Sequence, residues 1–237
     1  MKWIGLISVI VTGLLLLSAV GDFPDFGDPK SPANGGVGGF SVSQHYLTHT
    51  EEDTKVPNIV TAVLADYRGY DTMFETTVIL IAGISIFAII RTFSPDPKER
   101  GPGKIDASVE GDHQRIIIGT TCRLIIPVIQ IFALYVVAHG HHSPGGGFQG
   151  GVMLGASFIL VAIARDLGAA LTRLSEKQYF RLAFIGIFIY SGFGMLCMVL
   201  ERNLLDYGIL QKIMPATDAV MARSHSMLGV EVGVAFT

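Results

Sequence analysis

Charge is scarce in this chain. Asp, Glu, Lys and Arg make up 16% of its 237 residues, against roughly 25% in soluble domains. Half of the residues are hydrophobic, and the mean hydropathy is +0.50. There is no basic excess either: the net charge is −3, which gives no reason to expect a nucleic-acid partner. Cysteine is nearly missing, with Cys122 and Cys197 the only two. They fall in separate apolar runs at depths that differ by roughly 13 Å, beyond the ~7 Å that a disulfide spans between Cα atoms. Both are expected to be packing residues. Lys and Arg are absent above all from His139 to Gly147, nine residues that join two apolar runs.

Those runs define the architecture. Ile116–Ala138 has 23 residues and Phe148–Ala164 has 17, lengths that approach or reach what ~30 Å of hydrocarbon requires of a helix. A chain that reverses between them without a single cation makes a helical hairpin in or beside a bilayer. Further spans are expected at Trp3–Val20, Met73–Ile90 and Leu182–Leu200. A sixth apolar run begins near Ser226 and reaches Thr237, a rise of only about 18 Å. It carries no stop signal, so this span is expected to be truncated. The fold class is therefore an all-α integral membrane protein of about six transmembrane helices. It has one long extracytoplasmic loop and a glycine-rich hairpin. Counting Lys and Arg in alternate loops gives ten on one side and six on the other. That bias places the N-terminus in the cytoplasm and the hairpin at the outer face. The first run also has the flanks of a signal peptide, but its 18 residues exceed the usual 7–15 of a signal core, which favours an uncleaved helix.

Three segments follow from the change of character along the chain. Residues 1–93 form a two-span module, and residues 94–114 form a linker opening with Ser-Pro-Asp-Pro-Lys-Glu-Arg-Gly-Pro-Gly. Residues 115–237 form a second module. The stretch Gly35–Gly39 could hardly be regular. Asn58–Tyr67 places Ile59, Val60, Val63, Leu64 and Tyr67 at amphipathic spacing, with Gly69 as the expected C-terminal cap. Thr72-Met-Phe-Glu75 has the form of a capping box opening the second span. Glu75 is read first as that cap and second as an ion relay, and Asp71 is a further candidate for an ion path or a subunit contact.

Chemistry-bearing residues are few. Arg123 lies about 10 Å into its span, where a charge costs at least ~2.5 kcal/mol unless paired or hydrated. Pro127, four residues on, removes the amide that would bond its carbonyl. The two readings are snorkelling to the surface and a site on an ion path or against a partner's carboxylate. Glu231 is the matching acid in the last run, at a depth that makes a direct pair with Arg123 doubtful. His139, His141 and His142 crowd the hairpin mouth beside Pro144, Gly145 and Gly146. Three imidazoles in four residues with no Cys or acid nearby do not suit a metal, so hydrogen bonding to loop carbonyls is expected of them. His45 and His49 share a helical spacing in surroundings that read as loop. Gly145-Gly-Gly-Phe-Gln-Gly150 satisfies G-x-G-x-x-G, but no strand precedes it and no Lys-Ser/Thr follows, which excludes dinucleotide and phosphate-loop readings. Gly147, Gly151 and Gly155 instead form overlapping G-x-x-x-G steps that let another helix approach closely.

The segment GHHSPGGGFQGG, Gly140 to Gly151, resembles the signature of the B subunit of Mrp-type multisubunit Na⁺/H⁺ antiporters. The resemblance runs from about Arg115 to Thr237 and includes E-V-G-V at Glu231–Val234. Val56 to Arg91 is similar to the C-terminal tail of the A subunit of the antiporter and to small subunits of energy-converting membrane hydrogenases. Phe74 departs from the family, which usually has a small residue before this Glu, and the family's last helix continues further. The resemblance implies an accessory, non-enzymatic subunit of a cell-membrane complex exchanging Na⁺ for H⁺, with sister membrane subunits as partners. A subunit of a hydrogenase-type complex that lines no ion path is the alternative. No cofactor and no catalytic residue are implied.

Overall fold

The structure, a computed structural model, describes residues 2–35, 39–93 and 109–237. Residues 36–38 of the glycine stretch and 94–108 of the expected linker lie outside them. The chain divides into two compact units, residues 1–49 and 50–237. Among the described residues, five helices are long and apolar enough to cross a membrane: Trp3–Val20, Gly69–Thr92, Ile116–Ala138, Gly147–Ala164 and Glu176–Val199. This is a multi-pass, all-α membrane protein.

In the first unit, α1 (Lys2–Val20) is exposed along nearly its whole length, as a helix surrounded by hydrocarbon can be. A chain of turns follows, in which Asp28 Oδ1 accepts from the Lys30 amide at 2.9 Å. Ser41 Oγ then accepts from the Gln44 amide at 3.2 Å and starts α2 (Val42–Thr54). His45 and His49 therefore lie on a helix and not in a loop, with their rings stacked at 4.6 Å.

The second unit begins with the end of α2 and a short helix α3 (Ile59–Ala62), capped by Asn58, whose side chain accepts from the Val60 amide. The expected amphipathic helix does not continue as one piece. Val63–Tyr67 widens into a π-helical turn, and α4 runs from Gly69 to Phe93. Gly69 is thus the first residue of α4 and no C-terminal cap; Arg68 ends the preceding turn. Thr72 is likewise inside α4, its hydroxyl donating to Leu64 O at 2.8 Å. The capping box is not formed, because the helix has already begun three residues earlier. This removes the capping role from Glu75.

Then come α5 (Val109–Ala138), with Pro127 inside it, the hairpin, α6 (Gly147–Ala164) and α7 (Leu167–Arg173). α8 (Glu176–Val199), a 3₁₀ turn at Tyr207–Lys212 and α9 (Ala219–Phe236) complete the unit. The N-terminus of α7 is capped by Asp166, which accepts from the Ala169 amide at 2.6 Å. α8 opens at the N-cap Ser175, whose amide donates to Gln178 Oε1 at 2.8 Å.

Close packing runs through glycine and small residues. A Cβ at Gly150 would stand 2.8 Å from Ala133 O on α5, and one at Gly151 2.9 Å from Ala235 O on α9. Gly147 lies against the Glu231 backbone, and Gly233 against Gly186 O on α8. Of the three glycines in the G-x-x-x-G steps, Gly147 and Gly151 meet α9, while Gly155 faces open space. Ser157, fully buried, takes a 3.0 Å bond from Gln130 Nε2 across the α5–α6 pair. At the other end of the bundle, Arg91 bonds Glu176 at 2.6 Å and covers the Phe87 ring. The largest core cluster joins Tyr190 and Cys197 of α8, Leu205, Tyr207, Leu210, and Val230 and Val234 of α9. Cys122 and Cys197 are both free thiols.

Candidate functional site

The hairpin, the start of α4 and α9 converge on one cavity. Its volume is about 110 Å³, and Thr61, Thr72, Glu75, Thr76, Gly145–Gly147, Gln149 and Glu231 are among its lining. That is room for a few water molecules. Two acids far apart in the sequence thus share one space. Glu75 is exposed at its rim. Glu231 is only 7% exposed.

The surroundings of Glu231 explain the sequence of the hairpin. Gly146 adopts φ +136°, which side-chain-bearing residues rarely accept. A Cβ there would stand 3.2 Å from Glu231 Oε1, and one at Gly140 would stand 2.5 Å from Oε2. The glycines therefore clear a seat for the carboxylate at the N-terminus of α6, where unbonded amides favour negative charge. The Thr61 hydroxyl and the Gly147 amide lie against it. Glu231 Oε2 nevertheless has no hydrogen-bond partner among the described residues. An orphaned buried carboxylate oxygen is costly in a packed protein, and here it lines a polar cavity.

The histidines do not hold the hairpin closed; Asn58 does. Its Nδ2 donates to Gly140 O at 2.7 Å and to Ser143 O at 2.8 Å, and its amide donates to His141 O at 3.1 Å. Thr61 Oγ1 adds a bond to Gly140 O at 2.7 Å. The loop carbonyls expected for the imidazoles are thus met by a helix N-cap 82 residues away in sequence. His139 stacks on Tyr135 at 4.1 Å. His141 Nε2 is buried with no hydrogen-bond partner among the described residues. Burial, with His142 and His225 nearby, holds its pKa below the usual histidine value.

Arg123 and Asp71 stand apart from this cavity. Arg123 is exposed on α5, with no ion pair inside the chain among the described residues. Asp71 is paired with its neighbour Arg68 at the surface.

A second polar cluster lies beside the cavity. Arg223 of α9 donates to Asp66 of the π-helical turn at 2.7 Å, with Asp66 nearly fully buried. The Arg223 guanidinium also sits over the Tyr67 ring, whose hydroxyl donates to Asp53 at 2.6 Å. Burial raises the Asp66 carboxyl above the usual carboxylate value, outweighing the pull of Arg223. The pair fixes the π-helical turn to α9. Spacing gave no sign of Asp66, Arg223 or Asn58; a buried ion pair 157 residues apart has no local signature.

Residues 117–237 match the family described as a domain related to the MnhB subunit of Na⁺/H⁺ antiporter. The chain belongs to this family. Residues 38–103 match a family described as the E subunit of MBH. The probable A/B subunit of a K⁺/H⁺ antiporter of Rhizobium meliloti is 26% identical over 137 residues, 51% of this chain and 13% of that protein. The B subunit of the Na⁺/H⁺ antiporter of Bacillus subtilis is 34% identical over 86 residues, 36% of this chain and 53% of that protein. The chain thus spans only part of the relatives it matches. Among solved structures, it is similar to a chain of the membrane-bound sulfane sulfur reductase, an archaeal respiratory membrane complex. There the TM-score is 0.59 and the identity 24%, over 98% of this chain and 93% of that one. At that identity the likeness concerns the fold.

Proposed function

We propose that this chain is an accessory membrane subunit of a monovalent cation/proton antiporter or of a related ion-translocating respiratory complex. In this reading the Glu75–Glu231 cavity stands on the ion path. The observation that carries it is the buried Glu231 carboxylate with one oxygen unmatched, facing a cavity whose rim is a second carboxylate. Packing alone does not explain such a group: an apolar residue would be the cheaper occupant of the position. The membership in the MnhB-related family and the antiporter subunits among the relatives support the same reading. The segments on the two sides of the linker act together, joined at Asn58–Gly140 and Asp66–Arg223. Na⁺ and H⁺ are the ions, sister membrane subunits in the cell membrane are the partners, and the chain has no catalytic site of its own. Glu231→Gln in the assembled complex tests the reading. It keeps the shape and the hydrogen bonds but cannot exchange a proton, so cation-driven proton exchange in inverted vesicles is expected to fall by about tenfold or more. Wild-type exchange with normal assembly would leave the chain a scaffold.

Arg123 is assigned to a sister subunit. Exposed at this depth and with no ion pair among the described residues, it meets a carboxylate on a neighbouring polypeptide and lowers its pKa. Arg123→Ala is then expected to reduce exchange and shift its pH optimum, while Arg123→Lys retains part of the activity. An Ala variant identical to wild type at every pH would show that Arg123 merely snorkels.

A further inference from the structure

Two buried phenols lie next to the cavity, and the proposed ion path leaves them without a role. Tyr190 of α8 and Tyr207 of the 3₁₀ turn are each 1% exposed. Their hydroxyls meet over the start of α4: a Cβ at Gly69 would stand 3.5 Å from Tyr190 Oη and 3.8 Å from Tyr207 Oη. Tyr190 Oη donates to Gly69 O at 2.7 Å and lies against the hydroxyls of Tyr207 and Thr72. Tyr207 Oη has no hydrogen-bond partner among the described residues. Thr72 lines the cavity together with Glu75, one helical turn further along α4. At the other end, Tyr207 follows the half-buried Asp206 in the loop between α8 and α9. Three hydroxyls therefore run in a row from the side chain of Tyr207 to the cavity.

Packing explains both rings, and Tyr190 Oη is used on Gly69 O, but the Tyr207 oxygen is left over. Phenylalanine would fill either site without burying a polar atom, and a buried hydroxyl left unbonded is a net loss. A hydroxyl is also both donor and acceptor, the property that a carboxylate or an ammonium lacks and that proton hopping needs. Burial keeps the Tyr207 phenol well above the usual tyrosine pKa, so its resting form is the neutral hydroxyl.

Building on the carboxylate cavity proposed above, we infer that Tyr207, Tyr190 and Thr72 form a hydroxyl relay carrying protons between the α8–α9 loop and Glu75. In one passage, Tyr207 Oη accepts a proton from a hydronium ion, leaving water, while its own proton moves to Tyr190 Oη. Tyr190 gives its proton to Thr72 Oγ1, and Thr72 gives its own to the Glu75 carboxylate. Each hydroxyl oxygen gains one O–H bond and loses one, and no electron is transferred. In the structure the relay is at rest, because Tyr190 donates to Gly69 O and Thr72 to Leu64 O. Both hydroxyls must rotate away from these carbonyls before a proton can pass.

The test uses the assembled complex in vesicles and compares Tyr207→Phe, Thr72→Val and Thr72→Ser with Glu231→Gln. The relay predicts that Tyr207→Phe and Thr72→Val each lower proton flux by about tenfold or more, while Thr72→Ser, which keeps the hydroxyl, retains most of it. Complex yield and size are measured alongside, and the Val–Ser difference remains decisive if the Phe variant assembles poorly. Equal flux in Thr72→Val and Thr72→Ser overturns the relay. If Glu231→Gln is impaired in that same experiment, the cavity keeps its place on the ion path; if it too transports normally, both readings fall.

Discussion

Glu231 and Asp66 are both buried acids, and their neighbours give them opposite characters. Asp66 has a cation, Arg223, at 2.7 Å. Glu231 has glycines, a hydroxyl and an amide. The first is expected to be structural, which can be checked. Arg223→Ala leaves the Asp66 carboxylate buried without its counter-charge and should cost about 3 kcal/mol at neutral pH. Asp66 already has a raised pKa from burial, so without Arg223 it neutralises more readily still. The deficit of the variant is therefore expected to shrink as pH falls toward the carboxylate range, because the protonated acid no longer needs the guanidinium. Thermal unfolding of both proteins at pH 7 and pH 5 reads this directly, and a deficit independent of pH would contradict it. Single residues were only partly legible in the sequence. Glu75 and Glu231 stood out because acids are rare in apolar runs. Asn58, Asp66, Tyr190 and Tyr207 did not, because their contacts reach across the fold, 82 to 157 residues along the chain for the first three, and such contacts leave no periodicity.

Among the elements, the long apolar helices were readable to within six residues at their ends, since length and hydropathy alone decide them. The π-helical turn at Val63–Tyr67 was not. Its residues have helical spacing, and the widening turn is tied down by tertiary bonds such as the Arg223–Asp66 pair. The displaced start of α4 followed from the same cause, because spacing cannot show that the chain resumes its helix at Gly69. Glycine spacing on α6 was legible for two of three positions. It missed Gly150, Gly186 and Gly233, which make equally close contacts. Gly151 provides the test at this scale. Leucine there drives a side chain into the α9 backbone at Ala235, a stiff neighbour that cannot yield as a side chain could. Overpacking commonly costs about 1–3 kcal/mol, and a clash with backbone should reach at least the upper end. Gly151→Leu is expected to lower the yield and size homogeneity of detergent-solubilised complex, whereas Gly155→Leu, facing open space, should not. Equal behaviour of the two variants would contradict the α6–α9 contact.

Taken as a whole, the molecule surrounds a carboxylate with the parts that sequence shows separately. The histidine–glycine hairpin forms one wall of the cavity, the start of α4 forms its rim with Glu75, and α9 brings Glu231 to its floor. The α3 segment holds the hairpin in place through Asn58 and Thr61. If the two acids serve one ion path, their contributions cannot be independent. The most direct measurement is therefore a double-variant cycle on cation-driven proton exchange, with Glu75→Gln and Glu231→Gln made singly and together. Groups that act as a unit lose most of their function when either is removed. The account predicts that each single variant is strongly impaired and that the double variant is no worse than the weaker of the two. Losses that multiply in the double variant, or wild-type exchange in either single one, would contradict a shared site.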